Sequence, residues 1–381
     1  MQAQRGLGGE TPKLAIVFAS VSYEDFAAVP VAIRAVLGDV FIVGGTSGAC
    51  VFGAEHIAPR GVSVVALGGD DIEIACRTAP ASSQELVEAV PAAEQIARAA
   101  DDAARRGFLH YACLVLAPGI FVDGEAFVAA VRKGLGARAQ LFGGLTGDDL
   151  TLDRPMVIFG DERRSDLVVM TGIFTRGPVG IAARHGWRAV GPIRHVTRTD
   201  GVFLIELDDR PALDVWLEDA RNAGATPPTE GLALYLANHY ELGLIDAPTR
   251  KSDPEIEARE LVARAPFSIR SDRAIKLSAS IAEGTKVRVL HATRDDLLRA
   301  SREAADAALA KANGPIAGAL VFACSGRLAA LGEAFPEEHE AIRRRIAAPV
   351  GGACVFGEIA RNVRDADAFF NTTAVVVAFS R

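Results

Sequence analysis

The same succession of elements occurs three times along the chain, and this internal repeat limits the possible folds more than any other feature of the sequence. Each copy reads as an apolar strand, an amphipathic helix, a second strand that runs into two adjacent glycines, and a closing strand. The glycine pairs are Gly44–Gly45, Gly143–Gly144 and Gly351–Gly352. Their first glycines follow Phe18, Leu116 and Phe322 of the opening strands by 26, 27 and 29 positions. Three matches in the same order indicate a repeated structural unit.

The opening strands predict the fold class. Their apolar runs are continuous, which is typical of strands buried on both faces in a sheet covered by helices. We therefore expect an α/β fold of two domains with mixed β-sheets covered by helices. Part of this fold would be built from the three related strand-helix-strand-GG-strand units. The length of 381 residues also fits two domains.

Composition along the chain predicts the domain boundaries. Residues 1–12 are polar and rich in glycine, and we expect them to form a disordered N-terminal tail. Residues 222–230 include Pro227 and Pro228 among small and polar residues, which is typical of a linker. The predicted domains are therefore 13–221 and 231–381.

Charge and cysteine content exclude several classes of function. The net charge of −7 argues against a nucleic-acid partner, which would need a basic face. Of the five cysteines, no two have CxxC spacing, so we expect neither a disulfide framework nor a metal site. No apolar run reaches the length of a membrane span or a signal-peptide core. We therefore expect a soluble, cytoplasmic protein without a membrane partner.

The glycine pairs are the first candidates for a ligand site. Glycines at a strand end allow positive φ and a close approach of ligand, and their exposed amides can hold an anion. The predicted contacts are Gly44, Gly45, Thr46, Ser47, Gly143, Gly144, Thr146 and Asp148. The alternative is that the glycines only make tight turns or let strands pack closely. Neither GxGxxG nor GxxxxGK[ST] is present, which argues against a nucleotide site.

An ordered set of segments carries a family resemblance. In the N-terminal half it comprises Gly44–Gly48, Phe142–Asp149, His185–Trp187, His195–Thr197 and Glu206–Ala212; in the C-terminal half, Glu283–Val287, Phe322–Arg327, Gly357–Glu358 and Phe370–Thr372. The first group resembles the FIST N-terminal domain, and the second group is similar to the FIST C-terminal domain. Together they span nearly all of the chain beyond the first dozen residues.

The resemblance implies a sensory module of bacterial signal transduction rather than an enzyme. Members of the family are thought to bind small ligands such as amino acids, so we expect an amino-acid-like or other small polar ligand. We also expect the output to pass through a partner, such as a histidine kinase or another signalling protein.

The C-terminal half contributes three more candidate ligand contacts: Cys324, Arg327 and Glu358. Arg327 has the fork geometry that holds a carboxylate through two hydrogen bonds. It could equally cap a helix or pair with Glu358. We do not expect Cys324 to act as a reactive thiol, because buried cysteines are usually inert.

Two alternative functions remain open. No cofactor is required by the sequence, but some family members resemble haem-binding nitric-oxide sensors, and His239 and His185 lie near aromatic residues that could line a haem pocket. A hydrolase would use Ser47 or Thr146 in its glycine-rich turn as the nucleophile. It would also need a base, and no GxSxG, HExxH or SxxK motif is present.

Overall fold

The computed structural model of the chain describes residues 2–81, 86–245, 261–361 and 366–381. The described helices are α1 (Gln2–Gly6), α2 (Ala28–Leu37), α3 (Ala89–Arg105), α4 (Gly124–Leu135), α5 (Ala212–Asn222), α6 (Leu232–His239), α7 (Arg294–Ala312), α8 (Ser325–Leu331) and α9 (Phe335–Arg343). The strands up to residue 184 are β1 (Pro12–Ala19), β2 (Phe41–Thr46), β3 (Val51–Phe52), β4 (Ile57–Ala58), β5 (Val62–Gly68), β6 (Ile72–Pro80), β7 (His110–Pro118), β8 (Gln140–Thr146), β9 (Val157–Phe159), β10 (Glu162–Arg164), β11 (Leu167–Thr175) and β12 (Val179–Arg184). The remaining strands are β13 (Arg188–Ala189), β14 (Arg194–Asp200), β15 (Phe203–Leu207), β16 (Arg210–Pro211), β17 (Tyr240–Ile245), β18 (Val262–Arg264), β19 (Pro266–Ile269), β20 (Ile275–Leu277), β21 (Lys286–His291), β22 (Ile316–Cys324), β23 (Val350–Val355), β24 (Gly357–Arg361), β25 (Asp367–Phe370) and β26 (Ala374–Ser380).

The three predicted units are present and share one topology. In each unit the opening strand lies between a parallel second strand and an antiparallel closing strand. Unit 1 pairs β1 with β2 and β5, unit 2 pairs β7 with β8 and β11, and unit 3 pairs β22 with β23 and β26. The predicted α/β fold with mixed sheets is therefore confirmed.

The helices of the units cover the sheets as their periodicity predicts. On α2 the buried residues are Val29, Pro30, Ile33 and Leu37, which recur on one face of the helix. The Asp123 side chain caps α4 by accepting hydrogen bonds from the N–H groups of Glu125 and Ala126. In unit 3 the helical segment is divided into α8 and α9, so a helix also lies directly after the opening strand.

The glycine pairs lie inside strands, not in loops, which corrects the expectation of glycine loops at the strand ends. Gly44, Gly143 and Gly352 are opposite Val17, Val115 and Val321 of the adjacent parallel strands. A Cβ atom on these glycines would lie 1.7, 2.1 and 1.9 Å from the carbonyl oxygen of the facing valine. These glycines are therefore required because the strands pack closely, which was the alternative to a role in ligand binding. In this register the second glycine of unit 3 corresponds to the first glycine of units 1 and 2.

The units are joined in a ring through their glycine-bearing strands. Strand β2 of unit 1 pairs with β9 of unit 2, β8 of unit 2 pairs with β24 of unit 3, and β23 of unit 3 pairs with β3 of unit 1. A shared core fills the space between the units. In it the rings of Phe18 and Phe322 meet edge to face at 5.6 Å between centroids, and Phe142 lies 6.2 Å from Phe322.

Strands from both halves of the chain also form common sheets. Strand β12 pairs with β26, and β14 pairs with β21, so strands before and after the predicted linker lie side by side. The two domains are consequently in extensive contact. No helix in the described residues is both long and apolar enough to cross a membrane.

The N-terminal segment differs from its prediction. Residues 1–12 were expected to be disordered, but Gln2–Gly6 form α1 and Leu7 packs against the apolar cluster under α2. Strand β1 already begins at Pro12. The apolar contact of Leu7 supplies a tether that the polar composition of the segment does not indicate.

Candidate ligand-binding site

We call the segment at the end of each glycine-bearing strand the corner of its unit: 46–48 in unit 1, 145–147 in unit 2 and 354–356 in unit 3. The three corners meet at the centre of the ring. Three backbone hydrogen bonds connect them, each between two different units: Gly147 N to Thr46 O (3.0 Å), Gly48 N to Cys354 O (2.7 Å) and Phe356 N to Leu145 O (2.8 Å). The three corners therefore converge on one point. The corners converge on one another, however, rather than around an open cleft.

A single aromatic ring fills this centre. Phe356 occupies the position in unit 3 that Gly48 and Gly147 occupy in units 1 and 2, four residues after the strand glycine of each unit. A Cβ atom on Gly147 would lie 2.1 Å from Gly48 Cα and 3.0 Å from the Phe356 ring. The two glycines therefore leave the space that the ring and the neighbouring backbone occupy.

The predicted polar contacts at the corners are buried. Thr46, Ser47, Thr146 and Asp148 are all fully shielded from solvent. The Thr46 hydroxyl donates to the carbonyl oxygen of Gly147, which ties unit 1 to unit 2. None of these four side chains lines the cavity described below. As ligand contacts they stay a prediction, and their burial does not favour it.

The Asp148 carboxylate is used by its own loop. It accepts hydrogen bonds from the backbone N–H groups of Leu152, Asp153 and Arg154 and from the Thr151 hydroxyl. Burial raises the pKa of Asp148, but these hydrogen bonds outweigh it and hold the pKa below its ordinary value. The carboxylate thereby fixes the loop that presents Leu150 and Leu152.

A cavity of about 260 Å³ opens beside this loop, at the end of the opening strand of unit 3. We call it the Cys324 cavity. Its walls are mainly apolar and its polar groups are few, which is typical of small-molecule sites. It is lined by Leu150, Leu152, Leu234, Ala237, Asn238, Ala265, Pro266, Phe267, Cys324, Ser325, Gly326, Ala329, Phe356 and Asn371. Of the predicted contacts, Cys324 lies in this lining.

Two buried carboxyl groups lie in the cluster around Cys324. The Cys324 thiol lies close to Glu358, which accepts a hydrogen bond from the backbone N–H of Thr373 at 3.1 Å. Glu241 accepts a hydrogen bond from the Thr372 hydroxyl. One oxygen of each carboxyl group, Oε1, is buried without a hydrogen-bond partner in the described structure.

Burial determines the charge of this cluster. It raises the pKa of Glu241 to about 8 and the pKa of Glu358 well above its ordinary value. It likewise raises the pKa of Cys324, and the nearby Glu358 adds to that effect. Near pH 7 the Glu241 carboxyl group is therefore mostly protonated, and burial also favours the neutral forms of Glu358 and Cys324. A neutral Cys324 is a poor nucleophile.

Arg327 has a different role from the predicted one. It is fully buried, and each of its five N–H groups has a protein acceptor. Nε donates to both oxygens of Glu338; Nη1 donates to the carbonyl oxygens of His185 and Thr372; Nη2 donates to Leu297 O and Ser301 Oγ. No donor remains for a ligand carboxylate. The side chain instead connects α8 to α7, to α9 and to the segment between β25 and β26, and its ion-pair partner is Glu338 rather than Glu358.

The two histidines of the haem alternative are not at the Cys324 cavity. His185 is buried, and its Nδ1 accepts the backbone N–H of Trp187 at 2.9 Å. His239 packs against Tyr235 at 5.0 Å between ring centroids. A volume of about 260 Å³ is also small for a porphyrin. The residues present do not fit haem at this site.

A larger cavity, of about 870 Å³, lies beside Arg264 and Lys286. Its lining residues Ile245 and Asp367 lie close in sequence to 246–260 and 362–365, which are outside the described part of the chain. The lining residues of the Cys324 cavity are not next in sequence to these segments, and they include the predicted contact Cys324. The candidate site is therefore the smaller cavity.

Several residues of the site were missed in the sequence. Leu150 and Phe267 reach the cavity from distant segments that no local pattern marks. Asn371 lies in a segment of the family resemblance, Phe370–Thr372, but was not predicted as a contact. Glu241 does carry a signal, because an acidic residue inside the apolar strand β17 needs a buried partner or a function.

These features define a two-domain α/β protein with a mainly apolar cavity where the domains meet. Sequence profiles identify its family. The profile of the FIST N domain matches residues 13–210, and that of the FIST C domain matches residues 212–361. The chain belongs to the FIST family, whose domains are sensory domains in signal transduction. No curated protein matches the chain.

Proposed function

We propose that the chain is the input module of a cytoplasmic signalling system and binds an amino-acid-like ligand with an apolar body in the Cys324 cavity. The observation that carries this proposal is the cavity itself. It lies at the strand end of unit 3, is walled by leucine and phenylalanine side chains, and has polar groups in its lining.

The lining suggests how such a ligand would lie. Leu234, Phe267 and Phe356 offer apolar surface, while Cys324, Ser325 and Asn371 supply hydrogen-bonding groups. A cavity of about 260 Å³ suits a molecule of amino-acid size. A ligand with one polar end and an apolar side chain would satisfy both parts of the lining.

The position of the cavity supports a signalling role. Leu150 and Leu152 come from the FIST N domain, whereas Leu234 and Phe267 come from the FIST C domain. A ligand that prefers one arrangement of the two domains would shift the population toward it. The exposed leucines at the cavity mouth, 50% for Leu150 and 62% for Leu234, would then present a different surface to a histidine kinase or another signalling partner.

Isothermal titration of the purified chain with the twenty amino acids tests this proposal. We expect saturable binding of at least one amino acid with an apolar side chain. The variant Ala329→Trp places a large side chain in the cavity lining and should weaken that binding at least tenfold. Ala310→Trp, at an exposed alanine of α7, is the matched control and should bind like the wild type.

The opposing results are equally concrete. If none of the twenty amino acids binds, the proposed ligand is wrong. If an amino acid binds Ala329→Trp as tightly as the wild type, the proposed location is wrong. A Soret absorbance band that forms when haem is added would favour the haem alternative instead.

A further inference from the structure

Two of the five cysteines are in contact where unit 1 meets unit 3. Cys50 lies between β2 and β3 of unit 1, and Cys354 lies in β23 of unit 3. Their sulfur atoms are 3.0 Å apart, although the residues are separated by 304 positions in sequence. Both side chains are buried, with exposures of 3% and 0%. No sequence spacing indicates this pair.

The backbone geometry suits a covalent bond between them. Strands β3 and β23 are antiparallel, with Gly352 opposite Phe52 and Ala353 opposite Val51. The next step of this register places Cys354 beside Cys50, whose carbonyl oxygen accepts the Cys354 N–H at 3.0 Å. Residues opposite each other in such a ladder have Cα atoms about 4.5–5.5 Å apart. Disulfides span Cα separations of about 4.4–6.8 Å.

We infer that Cys50 and Cys354 form a disulfide when the protein meets a peroxide, and that this bond locks the three-unit ring. The β3–β23 pairing joins the first unit to the last through their strands, beside the ring contact of Phe18 with Phe322. A bond at this position would add a covalent link between units 1 and 3, which the chain itself connects only through unit 2. The inference does not depend on the ligand of the Cys324 cavity.

The chemistry balances with hydrogen peroxide as the oxidant. One thiolate attacks a peroxide oxygen, the O–O bond breaks, and a sulfenic acid and one water form. The second thiol then attacks the sulfenic sulfur, the S–O bond breaks, and a second water leaves as the S–S bond forms. Two thiols lose two electrons and two protons in total. Hydrogen peroxide is small and neutral, which suits an oxidant for buried thiols.

The reaction should be slow in the native protein. Burial, and then the hydrogen bond with Cys50, raise the pKa of Cys354 well above its ordinary value. The fraction of reactive thiolate is consequently low. A slow, specific oxidation is the behaviour of a pair that responds to sustained rather than brief oxidative conditions.

Mass spectrometry of the full chain after exposure to equimolar hydrogen peroxide tests the inference. We expect the free thiols, counted in denaturant, to fall from five to three. One crosslinked peptide pair should contain Cys50 and Cys354. The melting temperature should rise by about 5 °C, because the bond closes a loop of roughly 300 residues. Dithiothreitol should reverse all three changes.

Two variants separate this bond from others. Cys50→Ser should abolish the crosslink and the rise in melting temperature. Cys76→Ser removes another buried cysteine and should leave both intact. A crosslink through Cys324, oxidation confined to single cysteines, or five unchanged thiols in a protein whose unfolded form reacts under the same conditions would each overturn the inference.

Discussion

The corners of units 1 and 2 differ from the corner of unit 3, although all three share a strand topology. After the strand glycine, units 1 and 2 carry Gly48 and Gly147, and unit 3 carries Phe356. The first two corners are sealed against each other and against the Phe356 ring, whereas the third borders an open cavity. A repeated fold thus acquires an open cavity where one copy departs from the others.

The ends of the opening strands differ in the same way. Three residues after the valine that faces the strand glycine, unit 1 has Ser20, unit 2 has Pro118 and unit 3 has Cys324. The Ser20 hydroxyl donates to Asp149 at 2.7 Å and is buried by the loop of unit 2. Cys324 instead lies in the cavity lining. The polar residue at this strand end holds the neighbouring loop in unit 1 and lines the cavity in unit 3.

The largest expected effect tests what the three units share. Gly352→Ala would place a Cβ atom 1.9 Å from the carbonyl oxygen of Val321, and backbone cannot move away cheaply there. We expect the free energy of unfolding to fall by more than about 4 kcal/mol, or the protein not to fold. Urea denaturation followed by circular dichroism measures it.

Gly318, a glycine of strand β22 with room for a Cβ atom, provides the control for that substitution. Gly318 lies in β22, and a Cβ atom there would have its nearest neighbour, Pro349 O, at 3.5 Å. Gly318→Ala should change the free energy of unfolding by less than about 1 kcal/mol. Equal destabilisation by the two substitutions would show that close strand packing is not the reason for Gly352.

An intermediate effect is expected at the residue that distinguishes unit 3. Phe356→Ala removes the ring packed on Gly48 and Gly147, and should lower the free energy of unfolding by about 3 kcal/mol. Phe41, half exposed on β2, is the control site, and Phe41→Ala should cost less than about 1 kcal/mol. If the two substitutions cost the same, Phe356 does not fill the centre of the ring.

The sequence predicted the common part of the units and missed the part that differs. The order of the elements could be read from continuous apolar runs and helical periodicity, because these patterns are local. The register of unit 3 could not, because Gly351 and Gly352 are adjacent and either can be aligned with Gly44. Only the facing residue, Val321, shows that Gly352 is the equivalent position.

The candidate site was predictable only in outline. The sequence indicated Cys324 as a candidate contact, and in the structure it ends strand β22 and lines the cavity. The partners of Arg327 come from segments between residues 185 and 372, so its saturation by protein acceptors follows only from the tertiary structure. The same holds for the cavity walls, since leucines 150 and 234 are brought together by contact between the domains.

The smallest expected effect concerns the carboxyl cluster that accompanies the open corner. The pKa of Glu241 is about 8 in the folded protein, against an ordinary value of 4.5. Between these values the folded protein binds more protons than the unfolded chain, so stability falls as the pH rises from 4.5 to 8. Glu241→Gln mimics the protonated carboxyl group, so the variant should lose about 2 kcal/mol less of its free energy of unfolding than the wild type between pH 5 and 8. This is less than ideal linkage gives, because buried sites relax on ionisation.

Thermal melts at pH 5, 6, 7 and 8 measure the difference, with the exposed Glu333→Gln as the control for losing one carboxylate. A Glu241→Gln curve parallel to that of the wild type would mean that Glu241 is already ionised in the folded protein and that the cluster is more open to water than the sealed corners of units 1 and 2.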